Sequence, residues 1–596
     1  MSPHSPASAA PSSPTATTGV WIGRCWDDPS PVTAPQALKH HVLVLDADDT
    51  LPDAPPVFLQ PCSRQRWQAL CTDARRNGFA RSNAIDHTLT LALTSPTQDR
   101  AATLAALQCR VDHLYIAPDW WQDASAAATT LARLCPREAQ LCLIGTGDTA
   151  SLQAWEKAGF VWDAMATSPT LFDTSTAPFV ASRIAHYRPR WPLPTLPSPR
   201  RHAIVIGAGL AGAAVCHSLI LRGWYVVLID QASGPAQGAS ALPVGMMSEH
   251  RTARPTPMSQ LSRLGMALHR HRLAQDVPIG AGWQPTAITN VPHLRHPDSE
   301  DGGEEAYTDT EAALVRPSAL VAAWLAMAQA SGRCTVLWNA PVCHIEASGT
   351  PTEPWWDVVG PQDRTWATSP NVIVTAAFGS ADLLAPHAQH IGAGETLRPV
   401  KGQLSYGPLE GAALAPHPLR DQGVFVPCYE DRRHPNAPAR LWSMGATYER
   451  GHTDPTLTPA AHERNAQSLH ALHPAAYEQM RAQQQRGDLL GWAGIRCASL
   501  DRLPLVGAVP ALGPLQPSMQ LRDVPRVPGL WTVCAMGSRG LTLAELAAEL
   551  LAAQLEHEPW PLPRALGQAL DPARFALKAA RTHKSGDVLK KQSQKS

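Results

Sequence analysis

Short apolar runs punctuate the first two hundred residues. HVLVL (41–45), LTLAL (89–93), VDHLYI (111–116) and LCLI (141–144) are too brief for stable helices and rich in residues that pack on a pleated face. Apolar positions at helical spacing appear between or after them, as in 124–134 and 150–158. Strand and helix in alternation predict a parallel α/β sheet over 20–190. WPLPTLPSPR (191–200) then places four prolines in ten residues, which predicts a semi-rigid linker and a domain boundary.

From 201 a second α/β pattern begins. An apolar strand (203–206), a helical segment (210–221) and another apolar strand (225–229) follow one another closely. Helices are predicted over 258–275, 313–331, 459–486 and 541–555. Strands are predicted within 333–347, at WDVVG and NVIVTAAFGSADLL, and over 530–534. Residues 398–450 alternate apolar and polar positions, as an antiparallel sheet forming a substrate domain would.

The stretch HAIVIGAGLAGAAVCHSLILRGWYVVLID (202–230) carries the clearest chemistry. Gly207, Gly209 and Gly212 stand in G-x-G-x-x-G spacing between strand and helix. The first glycine allows the tight turn, the second lets backbone approach a diphosphate, and the third lets helix and strand pack closely. Asp230 ends the second strand, where an acid can accept hydrogen bonds from a ribose hydroxyl. A second strand, glycine-bearing loop and helix recur at 530–555, so Gly537, Ser538, Arg539 and Gly540 are a second candidate ligand-binding turn. The small-residue turn at Ala376, Ala377 and Gly379 lets a strand end press against a bound cofactor.

Composition narrows the reading. At 596 residues the chain exceeds one core, so several domains are expected. Fifty basic and fifty acidic residues give zero formal charge, so a nucleic-acid surface must be a local patch. Two candidates exist: Arg263, His269, Arg270, His271 and Arg272 in one helix, and Lys578, Arg581, Lys584, Lys590, Lys591 and Lys595 in the tail 578–596. Residues 1–19 read as a polar leader without the features of a secretory signal. No apolar run is long enough to span a membrane. The 12 scattered cysteines, with no C-x-x-C pair or metal-like spacing, point to reduced thiols in the cytoplasm and to no metal.

Residues 201–577 resemble the D-amino-acid/glycine oxidase family of FAD enzymes. Within it they are most similar to the oxidase half of bifunctional enzymes that modify the tRNA wobble uridine. The resemblance lies in VIGAGLAGA, PAQGASALPVGMM, LRPVKGQLSYGP, MGATYERGHTD, GIRCASLDRLPLVG, GSRGLTLAELAAELLAAQ and LPRALGQALDPARFALKAAR. It implies a Rossmann-like FAD-binding domain with an inserted antiparallel substrate domain, preceded by a degenerate Rossmann-like methyltransferase-type α/β domain. FAD is the implied cofactor, and the cofactor-binding set extends to Gln237, Ser240 and Val342. Arg496, in AGIRC, matches the arginine that grips the substrate carboxylate, and Lys401 stands where the family commonly has Arg or Lys. Lys401 can equally be solvated, and Tyr406 and Tyr448 are either pocket or core aromatics.

The N-terminal region is similar to the methyltransferase half only in its later part, where LCLIGTGDTASLQAWEKAGFVWDAM has the outline of a last helix and hairpin. Such methyltransferases hold S-adenosylmethionine with a glycine-rich loop after the first strand; the only candidate first strand, 41–45, is followed by Asp46, Asp48 and Asp49, with no glycine until Gly78, so S-adenosylmethionine is not expected to bind. The implied reaction converts 5-carboxymethylaminomethyl-(2-thio)uridine in tRNA to the 5-aminomethyl form with release of glyoxylate, and molecular oxygen reoxidises the flavin. An oxidase of free glycine, D-amino acids or secondary amines is the alternative, and a non-catalytic RNA-docking flavoprotein a more distant one.

Overall fold

The computed structural model describes residues 17–22, 38–46, 51, 54–55, 62–83, 88–94, 99–145, 148–163, 182–193, 200–252, 254–291, 306–350, 353–435 and 437–582. Two compact units emerge: Met1–Arg200 with Ala552–Ala565, and Arg201–Leu551 with Leu566–Ser596. The boundary falls at the end of the proline-rich stretch, of which 194–199 lie outside the described residues. The continuous domain expected over 201–577 is interrupted, because Ala552–Ala565 goes with the N-terminal unit. There Glu558 pairs with buried Arg81 at 3.1 Å, and the Trp560 N–H donates to the Gln108 carbonyl at 2.9 Å.

The N-terminal unit is α/β, with five parallel strands in the order Thr88–Thr94, Leu38–Asp46, Thr17–Ile22, His113–Ile116 and Gln140–Ile144. Phe79–Asn83 adds antiparallel at one edge. Ser182–Tyr187 and Phe160–Trp162 form the antiparallel hairpin at the other. The sheet is wound outwards both ways from Thr17–Ile22, the doubly wound order of nucleotide-binding folds.

That strand corrects the leader expected over 1–19 and makes the run 41–45 part of the second strand, not the first. Only six residues long, it shows little periodicity, yet Val20, Trp21 and Ile22 are buried and Trp21 stacks on Tyr115 at 3.9 Å. Gly23 follows it directly, so the absence of glycine after 41–45 loses its force; 23–37 lie outside the described residues. The helix expected over 124–134 is two short ones, Trp121–Ala126 and Ala128–Ala132.

At the carboxyl end of the second strand the carboxylate of Asp46 is taken up internally. Arg100 contacts it through both Nε (3.2 Å) and Nη2, and the Thr94 hydroxyl donates to it at 2.6 Å. Arg100 also donates to Asp123 at 3.0 Å and lies over the Trp120 ring at 4.3 Å.

The C-terminal unit repeats the winding. Cys334–Leu337, Tyr225–Ile229, His202–Ile206, Val372–Val374 and Arg526–Cys534 are parallel in that order, with Leu505–Pro510 antiparallel at the edge. A nine-stranded sheet is inserted as expected, and it is larger than 398–450 alone. It also takes Gly245–Met247, Trp283–Asn290, Tyr307–Val315 and Leu490–Ser499. The helix expected from 313 therefore starts later, at Pro317, whose missing N–H costs nothing in a first turn.

In the expected basic helix, Pro257–Asp276, the described cations are buried or paired with carboxylates. His269 is fully buried, Arg263 and Arg270 pair with Glu249 (3.6 Å) and Glu311 (2.9 Å), and the side chain of His271 lies outside the described residues. Arg272 reaches inward to Glu545 at 3.0 Å. One turn further along the same helix, Gly540–Glu556, buried Glu549 pairs with Arg222 at 2.9 Å and accepts from the Ser218 hydroxyl at 2.6 Å. In the tail, Arg581 donates to the carbonyls of Pro517 and Met519 at 3.3 and 3.1 Å, while Lys584, Lys590, Lys591 and Lys595 lie outside the described residues. Among the described residues no helix is long and apolar enough to cross a membrane, and no group of three His, Cys, Asp or Glu could hold a metal.

Burial pushes the Glu545 carboxyl up to about 7; neighbouring Glu549 adds to this and Arg272 opposes it. The folded state thus holds a proton that the unfolded chain releases near pH 4.5. This contribution to stability is complete below that pH and is lost as pH rises through about 7. Urea midpoints for Glu545→Gln are expected to fall less steeply between pH 5 and 7 than those of the unaltered chain. In unfolding free energy the difference in slope should approach about 1.4 kcal/mol per pH unit, and parallel slopes would refute the assignment.

Candidate active site

The glycine loop is set by backbone crowding. Gly207 has φ +108°, a region that suits glycine, and a Cβ there would lie 2.9 Å from the Thr375 carbonyl oxygen. A Cβ on Gly212 would lie 1.8 Å from the Gly207 carbonyl oxygen and 2.8 Å from the Thr375 hydroxyl. That hydroxyl lies 2.8 and 3.0 Å from the Ile206 and Gly207 carbonyls, pinning the loop to the strand Val372–Val374 from just beyond its end. Half-buried Asp230 accepts from the Ala208 N–H at 2.6 Å and the Ala232 N–H at 2.8 Å. Its first job is therefore to hold the loop. Ser240 accepts from the Leu210 N–H, 3.1 Å away, at the start of the helix Leu210–Ile220.

These elements border a cavity of about 900 Å³, a size suited to a cofactor. The glycine loop contributes Gly207 and Gly209, and Asp230 lies beside them. The following loop contributes Gln237 and Ser240; Val342 and Gly379 come from later turns. The C-terminal strand and helix add Gly537, Ser538 and Gly540. The first residues of both helices, Leu210 and Gly540, face the same space, so the positive ends of two helix dipoles border it. Close-approach glycines and two helix starts around one long cavity fit a dinucleotide such as FAD.

Arg496 lines this cavity from the strand Leu490–Ser499. A Cβ on Gly402, in the neighbouring strand Leu397–Pro408, would lie 2.2 Å from Nη1 and 2.4 Å from Cζ of Arg496. The guanidinium therefore lies flat against backbone that only glycine leaves bare. Its one protein acceptor is the Thr447 carbonyl at 3.3 Å, and no carboxylate lies within ion-pair distance among the described residues. Burial lowers its pKa, partly offset by Tyr448. Three other buried arginines are paired, Arg272 with Glu545, Arg222 with Glu549 and Arg316 with Asp431 at 2.7 Å, while Arg420 donates to the Asn290 and Ser248 side chains. A buried guanidinium left with free donors is a receptor for an anion.

The structure separates three expected residues from the cavity wall. Gly212 lies beneath the loop it makes possible. Arg539 is half-buried beside the cavity without lining it. Lys401 is buried and donates to the Thr456 carbonyl, because consecutive strand residues face opposite ways and Gly402 holds the position under Arg496. Tyr406 belongs to an apolar cluster with Leu404, Val426 and Leu441, whereas Tyr448 is exposed and near Arg496. Thr375 and Gly402 were missed. Thr375 precedes the expected Ala376–Gly379 turn, and Gly402 sits within the quoted VKGQ segment.

Over residues 202–305 and 291–554 the chain matches the family described as FAD dependent oxidoreductase (DAO). It is 30% identical to the tRNA 5-methylaminomethyl-2-thiouridine biosynthesis bifunctional protein MnmC of Polaromonas naphthalenivorans, across 88% of this chain and 83% of that protein. Identity to the protein of the same name from Ralstonia nicotianae is 34%, across 87% and 81%. For that of Paracidovorax citrulli it is 32%, across 81% and 78%. The chain therefore belongs to the MnmC family of bifunctional proteins of tRNA 5-methylaminomethyl-2-thiouridine biosynthesis, with a C-terminal unit of the FAD dependent oxidoreductase family.

Proposed function

We propose that this chain oxidises the carboxymethylaminomethyl group of a tRNA wobble uridine, giving the 5-aminomethyl-(2-thio)uridine and glyoxylate. The observation that carries the reading is Arg496, a buried cation without a protein anion on the wall of a cofactor-sized cavity. The carboxymethylamino group is in effect an N-substituted glycine, and its carboxylate matches the free donors of that guanidinium. The names of the relatives support tRNA as the carrier.

Gly207, Gly209 and Gly212 keep the backbone open to the diphosphate of FAD. Asp230 holds that loop and offers its remaining lone pairs to a ribose. Gln237, Ser240, Val342 and Gly379 flank the cofactor, as do Gly537, Ser538 and Gly540 at the start of the C-terminal helix. FAD, when bound, supplies the acceptor for the two electrons and the hydrogen of the C–H bond beside nitrogen. Arg496 fixes the carboxylate and so orients that C–H bond. Water then splits the oxidised C–N bond, glyoxylate leaves, and oxygen is the final electron acceptor. The proposed compartment is the cytoplasm. Lys401 has no part in this reading, and no metal is required.

The N-terminal unit is proposed not to bind S-adenosylmethionine, which leaves the methyl-transfer step outside this chain. In doubly wound folds an acid at the end of the second strand takes ribose hydroxyls. Here Arg100 and Thr94 take up the Asp46 carboxylate. Titration calorimetry should show no binding, and micromolar affinity would overturn this.

Purified enzyme should release glyoxylate from carboxymethylaminomethyl-modified tRNA. Turnover of free glycine, sarcosine or D-amino acids instead would favour the amino-acid oxidase. Arg496→Ala should lower kcat/KM about a hundredfold or more, as loss of a buried charge-assisted bond does, with flavin absorbance per chain near normal. Gly402→Ala, which must displace the guanidinium, should raise KM in the same direction. Unaltered kinetics in both variants would remove Arg496 from the site.

A further inference from the structure

We propose that Arg502 and Arg539 form a clamp beside the cavity for a phosphodiester of the RNA strand that carries the modified uridine. The proposal rests on the tRNA reading above and assigns residues that bind RNA backbone outside the reaction cavity. The strand Leu490–Ser499 brings Arg496 into the cavity and runs straight into the turn 500–503. Within that turn Arg502 is exposed and held at φ +65°, a left-handed conformation that favours glycine.

The turn is built from other side chains. The Ser499 hydroxyl lies 2.8 Å from Asp501 Oδ1 and 2.6 Å from the Leu503 carbonyl, and the Leu503 N–H donates to Asp501 at 3.1 Å. Arg574 grips the Asp501 carboxylate through Nε and Nη2 at 2.8 and 2.9 Å. Asp501 is therefore neutralised by Arg574. Arg502, its neighbour in sequence, is left with no carboxylate in ion-pair distance among the described residues.

The loop that carries Arg539 leans on the same strand. The Gly537 N–H donates to the Cys497 carbonyl at 2.8 Å, and Met536 bridges Ala498. Arg539 is half-buried, also without a carboxylate partner among the described residues. Burial lowers its pKa and the nearby charge of Arg502 lowers it further. Two like charges that repel one another, neither held by a carboxylate, are stabilised by an incoming anion, and planar guanidiniums match phosphate geometry. Arg496 already serves the small carboxylate inside the cavity. The exposed Arg502, one turn further along the chain, suits the larger anionic strand to which that group is attached.

The test uses the full-length holoenzyme, with modified tRNA and the free modified nucleoside as substrates and tRNA binding followed by anisotropy over a range of salt. Arg502→Gly removes the charge while relaxing the left-handed backbone, so misfolding does not explain a loss. It should weaken tRNA binding and raise the tRNA KM about tenfold, increase the ratio of tRNA KM to nucleoside KM, and make the salt slope shallower by about one. Arg502→Lys should recover most of the slope. Unchanged tRNA affinity and slope in Arg502→Gly would overturn the clamp. If the unaltered enzyme binds tRNA yet turns over neither substrate, the oxidase reading fails, and the affinity of Arg502→Gly still decides the clamp.

Discussion

The carbonyl of Gly207 stands where a side chain on Gly212 would begin, and the architecture of the C-terminal unit follows from that contact. It brings the first turn of one helix onto the end of one strand, and Thr375 then locks the same point to the fourth strand of the sheet. Asp230 closes the arrangement from the second strand through two backbone N–H groups. Three strand ends are thus fixed together by main-chain groups before any ligand is considered. The space left at their carboxyl ends is the cavity.

The opposite wall depends on a β-sheet used as a flat bed. Gly402 pairs with Gly494 across two antiparallel strands, and the bare backbone of Gly402 accepts the face of the Arg496 guanidinium. The cation gains van der Waals contact and loses water, but gains no counter-charge. Three other buried arginines of the unit, Arg222, Arg272 and Arg316, meet carboxylates. The contrast between Arg316, matched to Asp431, and Arg496, matched to a carbonyl, separates a structural cation from one kept for a ligand.

What could be read from the chain alone was what neighbours in sequence determine. Gly207, Gly209, Gly212 and Asp230 lie within one strand–helix–strand segment, so their spacing already implies their geometry. Thr375 acts on Gly207 across 168 positions, and no local pattern marks it. Lys401 drew notice through its charge, yet the alternation of side chains along a strand gives the site to Gly402. Thr17–Ile22 escaped detection because a strand buried on both faces and only six residues long has no amphipathic signal. The pairing of the basic helix was not legible because its carboxylate partners, Glu249, Glu311 and Glu545, come from three other segments.

The return of Ala552–Ala565 to the N-terminal unit has a genetic consequence. A gene severed at the proline-rich stretch would part Ala552–Ala565 from the unit it packs in. The shorter product would lack Glu558, leaving the Arg81 guanidinium in its interior without that counter-charge, and the longer one would carry a segment that belongs to another core. A split that keeps the first unit whole would therefore have to carry Ala552–Ala565 with the front half.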